Sequence, residues 1–168
     1  MELRKKQVRY IQEGKRIFDQ FYLDEDLNVP DAKEDVKQIL KGSASVRVED
    51  LRLADSYLRV TGKLYYQILY VTDTKEPTPA VVEGKIPFEE MVYTEGGEKE
   101  QYFIQNMRVE FSSAMVHSRK ISIRAMIELE IGREMTMEEE ITEDLENADD
   151  VYKKFRRMNL LEIKASKK

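Results

Sequence analysis

Apolar and polar residues alternate through the middle of the chain, from about residue 43 to residue 131. In Tyr57–Val71 the even positions 58, 60, 64, 66, 68 and 70 are apolar, and Gly62 lies on the same side. The other side carries Arg59, Thr61, Lys63 and Gln67 before it turns apolar at Leu69 and Val71. A period of two with one polar side predicts a strand lying on a core, half exposed at first and more buried at its end. The cleanest alternation is Ile121–Ile131, apolar at every odd position and polar at every even one except Met126. Further strands are predicted at Arg16–Leu27, Ser45–Leu53, Ala80–Phe88 and Tyr102–Phe111. Turn chemistry separates them at Asp55-Ser56, at the Pro-stiffened stretch 73–79, at Gly96–Lys99 and at His117–Lys120. Regular strands with turns between them predict a mainly β domain, an antiparallel β-sandwich or a barrel-like sheet.

Two segments read differently. Pro30-Asp31 precedes Ala32–Leu40, Gly42 follows, and Val36, Ile39 and Leu40 recur at helical spacing. With Asp31 as N-cap and Glu34 as its capping-box partner, one short helix is predicted near residues 32–41. Met135–Met158 could prolong a strand or begin a helix. Acids at Asp149-Asp150 and bases up to Arg157 suit a helix dipole, so a short helix is predicted there as well.

Composition narrows the chemistry. The 168 residues contain no Cys and one His, which removes disulfides, thiolate metal sites, cysteine nucleophiles and multi-histidine sites. No apolar run approaches a membrane span, and the first residues form no secretory leader. The net charge is −5 with 36% charged residues. From Glu134 to Asp150 there are nine acids and no base; from Val151 onward seven bases face the single acid Glu162. A mixed to acidic body lacks the basic face that nucleic acid requires, so no nucleic-acid partner is expected.

Each remaining constellation has a plain reading. His117 sits in a predicted turn, and a catalytic triad would need an acid from elsewhere in the fold. Asp24, Glu25, Asp26, Glu89, Glu90 and Glu138 to Glu140 read as solvated surface, without the apolar setting that shifts a carboxyl pKa. Asp24-Glu25-Asp26 with Asp31 lacks the spacing and turn glycine of a calcium loop. Gly96-Gly97 is followed by Glu98, which would repel a phosphate. No catalytic, cofactor or metal residue is therefore assigned, and no enzyme activity is expected. Tyr57 and Tyr65 share the outward side of one strand; they suit either a sugar platform or cross-strand packing. Arg119, Lys120 and Arg124, at a turn and on the next strand, form the candidate contact surface for an acidic partner. Charged protection of a sheet edge is the other reading of that cluster.

Three stretches in register resemble a known family. They are Leu27–Leu40; Val60–Val71 with Val82–Phe88 after it; and Ser118–Ala125. Over roughly residues 5–131 the chain resembles the SPOCS domain of spore coat morphogenetic proteins from endospore-forming Firmicutes. It departs from the usual pattern at Glu34, where a second Pro is frequent, and at His117, where Asn is common. The resemblance implies a non-enzymatic assembly module without a cofactor, one of several repeats upstream of a peptidoglycan-binding LysM module. It implies action in the mother-cell cytoplasm at the forespore surface, with other coat morphogenetic proteins and the coat basement-layer ATPase as partners. A carbohydrate- or peptidoglycan-binding β module is the alternative.

The expected organisation is a β domain over 1–133, a charged linker over 134–158, and over 159–168 the first strand of a second repeat. That last expectation rests on the likeness of Asn159–Lys168 to Lys6–Lys15. The chain is thus expected to be an N-terminal fragment of a multi-repeat protein. An unpaired segment Leu160–Ala165 would invite strand pairing with a second copy, which predicts a homo-oligomer.

Overall fold

The computed structural model describes residues 4–143. These form seven strands: β1 (Arg4–Glu13), β2 (Ile17–Asn28), β3 (Val36–Ala54), β4 (Tyr57–Thr72), β5 (Pro79–Tyr93), β6 (Gln101–His117) and β7 (Lys120–Glu143). They fall into two compact units, Lys15–Arg133 and the flanking segments 4–14 with 134–143.

Within Lys15–Arg133 there are two antiparallel sheets. One has the order β3-β4-β5. In the other, β2 and β6 both pair with β7. The even positions of β4, from Leu58 to Tyr70, and the odd positions of β7, from Ile121 to Ile131, are almost wholly buried in one core. Rings link the sheets at two points: Phe21 of β2 lies 5.2 Å from Phe88 of β5, and Tyr66 of β4 stacks 6.2 Å from Phe111 of β6. The predicted strands and turns are present. Asp55 takes a left-handed φ of 56° in the β3–β4 turn, a conformation that Asp tolerates.

The helix predicted near 32–41 is replaced by a single turn and the start of β3. Lys33 N–H donates to the Pro30 carbonyl at 2.8 Å, and the chain is extended from Val36. Carbonyls that a helix would use are engaged elsewhere: Glu34 by the Tyr70 hydroxyl at 3.3 Å and Asp35 by Asp73 N–H at 2.8 Å. The helical spacing has its own cause. Register shifts between Val36 and Gln38, Ile39 and Lys41, and Val48 and Asp50 leave Lys37, Leu40 and Glu49 as extra residues. Each bulge changes the core-facing step from two to three, so Val36, Ile39 and Gly42 share the inner face of a strand.

In the other unit, residues 134–143 continue β7 and pair with β1 from Arg4↔Glu143 to Glu13↔Glu134. This corrects the linker reading for those ten positions. Their acids meet a basic strand: Arg9 pairs with Glu138 at 2.7 Å, Lys5 with Glu140 at 3.9 Å, and the Tyr10 hydroxyl donates to Glu139 at 2.8 Å. The remaining linker, the second predicted helix and the segment 159–168 lie outside the described residues.

Gly62 illustrates how tightly the β3-β4-β5 sheet is packed. It stands opposite Val48 on the core side of β4. A methyl group there would run into the Arg47 carbonyl oxygen and the Phe88 ring. Backbone cannot swing aside, so Gly62→Ala is expected to cost about 1–3 kcal/mol, measured as a lowered urea midpoint.

Asp19 is a polar residue at a core-side position between Ile17 and Phe21 on β2. Its Oδ2 is buried and makes no hydrogen bond. Burial raises its pKa, against a smaller lowering by the Gln20 backbone. Burial also raises Glu90 of β5, and the charge of Asp19 adds to it. Both groups hold protons to higher pH when folded than when unfolded. Stability is therefore undiminished below the ordinary carboxylate range near about pH 4 and falls as pH rises through the raised values. Asp19→Asn is expected to raise Tm at neutral pH, with the gain shrinking as pH is lowered toward about 4. A gain independent of pH would place the cause in packing.

Candidate interaction surface

The loop from β2 to β3 and the turn from β6 to β7 meet, and Arg119 ties them. Its Nη1 donates to the Lys33 carbonyl at 2.7 Å and to Asp35 Oδ1 at 3.1 Å. Its Nη2 donates to the carbonyls of Val29 and Pro30 at 3.0 and 2.9 Å. Backbone bonds reinforce the junction: Val29 N–H to the Arg119 carbonyl at 2.9 Å and Val36 N–H to the Ser118 carbonyl at 2.8 Å. His117 is exposed, and its Nδ1 accepts the Arg119 N–H at 3.1 Å, closing the turn. Arg119 is thus a latch, with its fork of donors spent inside the molecule.

The other two members of the predicted cluster lie apart from it, on the outward face of β7. Arg124 stands opposite Asp24 at 3.6 Å, with its guanidinium 4.8 Å from the centre of the Tyr22 ring. Lys120 reaches Asp26 at 3.7 Å. Asp24 and Asp26, two of the four acids in the calcium-like run, are the partners of these cations, and no group of three or more potential metal ligands occurs among the described residues. Arg119 is therefore engaged within the molecule, while Lys120 and Arg124 lie on the outward face of β7, each beside an acid of β2.

On the outward face of the β3-β4-β5 sheet, Tyr57 pairs with Tyr93 and Arg59 with Met91. Tyr57, Met91 and Tyr93 are 45%, 44% and 59% exposed, and the two Tyr rings meet edge to face at 5.8 Å. Arg52 stands opposite Arg59 on the neighbouring strand. Arg59 Nε lies 3.0 Å from Glu89, and Arg52 Nε lies 2.7 Å from Asp50, so the patch has an apolar centre and a neutralised charged border.

Residues 35–117 match the family model described as SipL, SPOCS domain. That segment is a domain of the SPOCS family. No curated protein and no solved structure matches it. Membership associates the chain with sporulation. The matched span runs from Asp35, one of the Arg119 acceptors, to His117, which closes the turn before it. Between them lie β3, β4, β5 and β6.

Alternation along one strand shows only half of the Tyr57 patch. The sequence pattern sets Tyr57 on one strand face with Tyr65, eight positions further along, whereas its ring partner is Tyr93 across the hairpin. The signal was present: a hairpin closed by the loop 73–79 sets Tyr57 opposite Tyr93 once the register is fixed.

The latch has a measurable consequence. Arg119→Ala leaves several carbonyls without their charged donor and is expected to cost about 2–3 kcal/mol in urea unfolding. Arg119→Lys should recover little, because one ammonium cannot reproduce the fork. Lys120→Ala and Arg124→Ala, which remove exposed pairs, should each change stability by less than about 1 kcal/mol. Equal effects at all three positions would refute the latch.

Proposed function

We propose that the chain is a non-enzymatic protein–protein interaction module, a β-sandwich that scaffolds spore coat assembly around the forespore. The patch of Tyr57, Met91 and Tyr93 bordered by Arg52 and Arg59 carries this reading. Tyr, Met and Arg are the side chains that interface cores concentrate, since they bury large areas beside a polar handle. Family membership supports the sporulation setting, with the mother-cell cytoplasm as the place of action. The proposed partners are other coat morphogenetic proteins, the coat basement-layer ATPase among them. Because Arg52 and Arg59 are already neutralised by Asp50 and Glu89, the partner meets the patch chiefly through apolar contact. Such association depends only weakly on salt.

The test is recovery on immobilised protein from sporulating-cell lysate, with bound proteins identified by mass spectrometry. Wild type should retain coat morphogenetic proteins, and Tyr57→Ser/Met91→Ser/Tyr93→Ser should retain about tenfold less at unchanged Tm, as expected for loss of a central hot spot. Equal retention by both would move the contact off this patch. Sedimentation with purified peptidoglycan while no coat protein is recovered would sink the scaffold reading.

A further inference from the structure

Halfway along the same sheet face lies a shallow open concavity of about 640 Å³. Two register rows floor it. Ser45, Tyr65 and Lys85 form one, and Ser43, Gln67 and Glu83 form the next. Tyr65 is 38% exposed, and the small serines leave room beside it over β3. Gln67 Nε2 donates to Glu83 Oε2 at 3.2 Å, which holds the carboxylate in place and leaves the amide oxygen free to accept. One aromatic ring is thus surrounded by hydroxyl, amide, carboxylate and ammonium groups.

We infer that this concavity is a binding site for an oligosaccharide. A sugar ring offers an apolar C–H face to stack on an aromatic ring, and a rim of hydroxyls that both donate and accept. The floor matches both requirements. Tyr65 supplies the apolar surface, Glu83 accepts from adjacent hydroxyls, Lys85 donates, and Ser43 and Ser45 do either. Lys85 and Glu83 offset each other's charge, which favours a neutral or amino sugar over a phosphorylated chain. The floor is open, so it suits a chain passing across it better than an enclosed monosaccharide. The site is separate from the Tyr57 patch, which lies eight positions back along β4, about 27 Å at strand spacing. Binding of sugar and of a protein partner are thus independent functions of one face.

Chitohexaose and cellohexaose serve as probes in calorimetry and in amide chemical-shift titration of the full chain. At least one should bind saturably, with shifts clustered at 43–45, 65–67 and 83–85. Tyr65→Ala should weaken binding about tenfold, the worth of one ring contact. Tyr65→Phe should retain it, Glu83→Ala should weaken it, and Tyr57→Ala should leave it unchanged. If Tyr65→Ala does not fold, Ser45→Glu replaces it, since a longer side chain beside Tyr65 takes the place of the sugar ring and should weaken binding about as much. Absence of saturable binding by either sugar overturns the inference, as does binding that survives both Glu83→Ala and the Tyr65 or Ser45 change.

Discussion

The unit Lys15–Arg133 depends on burying two long strand faces in one core: the even side of β4 and the odd side of β7. Each supplies six or more apolar side chains that would otherwise meet water, and neither can be satisfied by its own sheet. The finer packing follows from this. Gly62 and Gly84 stand where neighbouring rings and backbone leave no room for a methyl group, next to Phe88 and Tyr66 respectively. Gly42 does the same beside Phe111. The core is tight because its large rings were fitted by taking side chains away elsewhere.

With the inward faces committed, the outward faces differ in how their charges and exposed rings are arranged. On β2 and β7 the cations Arg124 and Lys120 are held by Asp24 and Asp26, so a strongly charged composition leaves little net attraction there. On the β3-β4-β5 sheet the Tyr57–Tyr93 pair and Met91 remain exposed inside a rim whose charges cancel. Charge count pointed toward the first surface; apolar exposure with pairing information points toward the second.

The strands were readable because one face of each is buried, which imposes strict alternation, as in Ile121–Ile131. The error at 32–41 has a definite origin. Bulges at Lys37 and Leu40 lengthen the apolar step to three, and a step of three is what a helix also shows. Periodicity cannot distinguish the two when only three apolar residues are involved. The strand character of 134–143 was hidden for another reason. Its acids were read as solvated, although a basic partner, with Lys5 and Arg9, stands more than a hundred positions away in the chain. The role of Arg119 was out of reach, since a lone arginine in a turn gives no sign that carbonyls from a distant loop converge on it.

That latch also has a place in time. Arg119 bonds residues 84 to 90 positions away, so its contacts require a very large loop to have closed already. Pairing of β2 with β7 sets Val29 and Pro30 beside Arg119, and the start of β3 must be in place as well before Lys33 and Asp35 complete the four acceptors. A contact that forms only after the folding barrier acts on the rate of escape rather than the rate of arrival. On that order of events, the junction between the β2–β3 loop and the β6–β7 turn would serve as a kinetic clasp. It would do little to guide the chain into its fold and much to set how long the fold lasts once made.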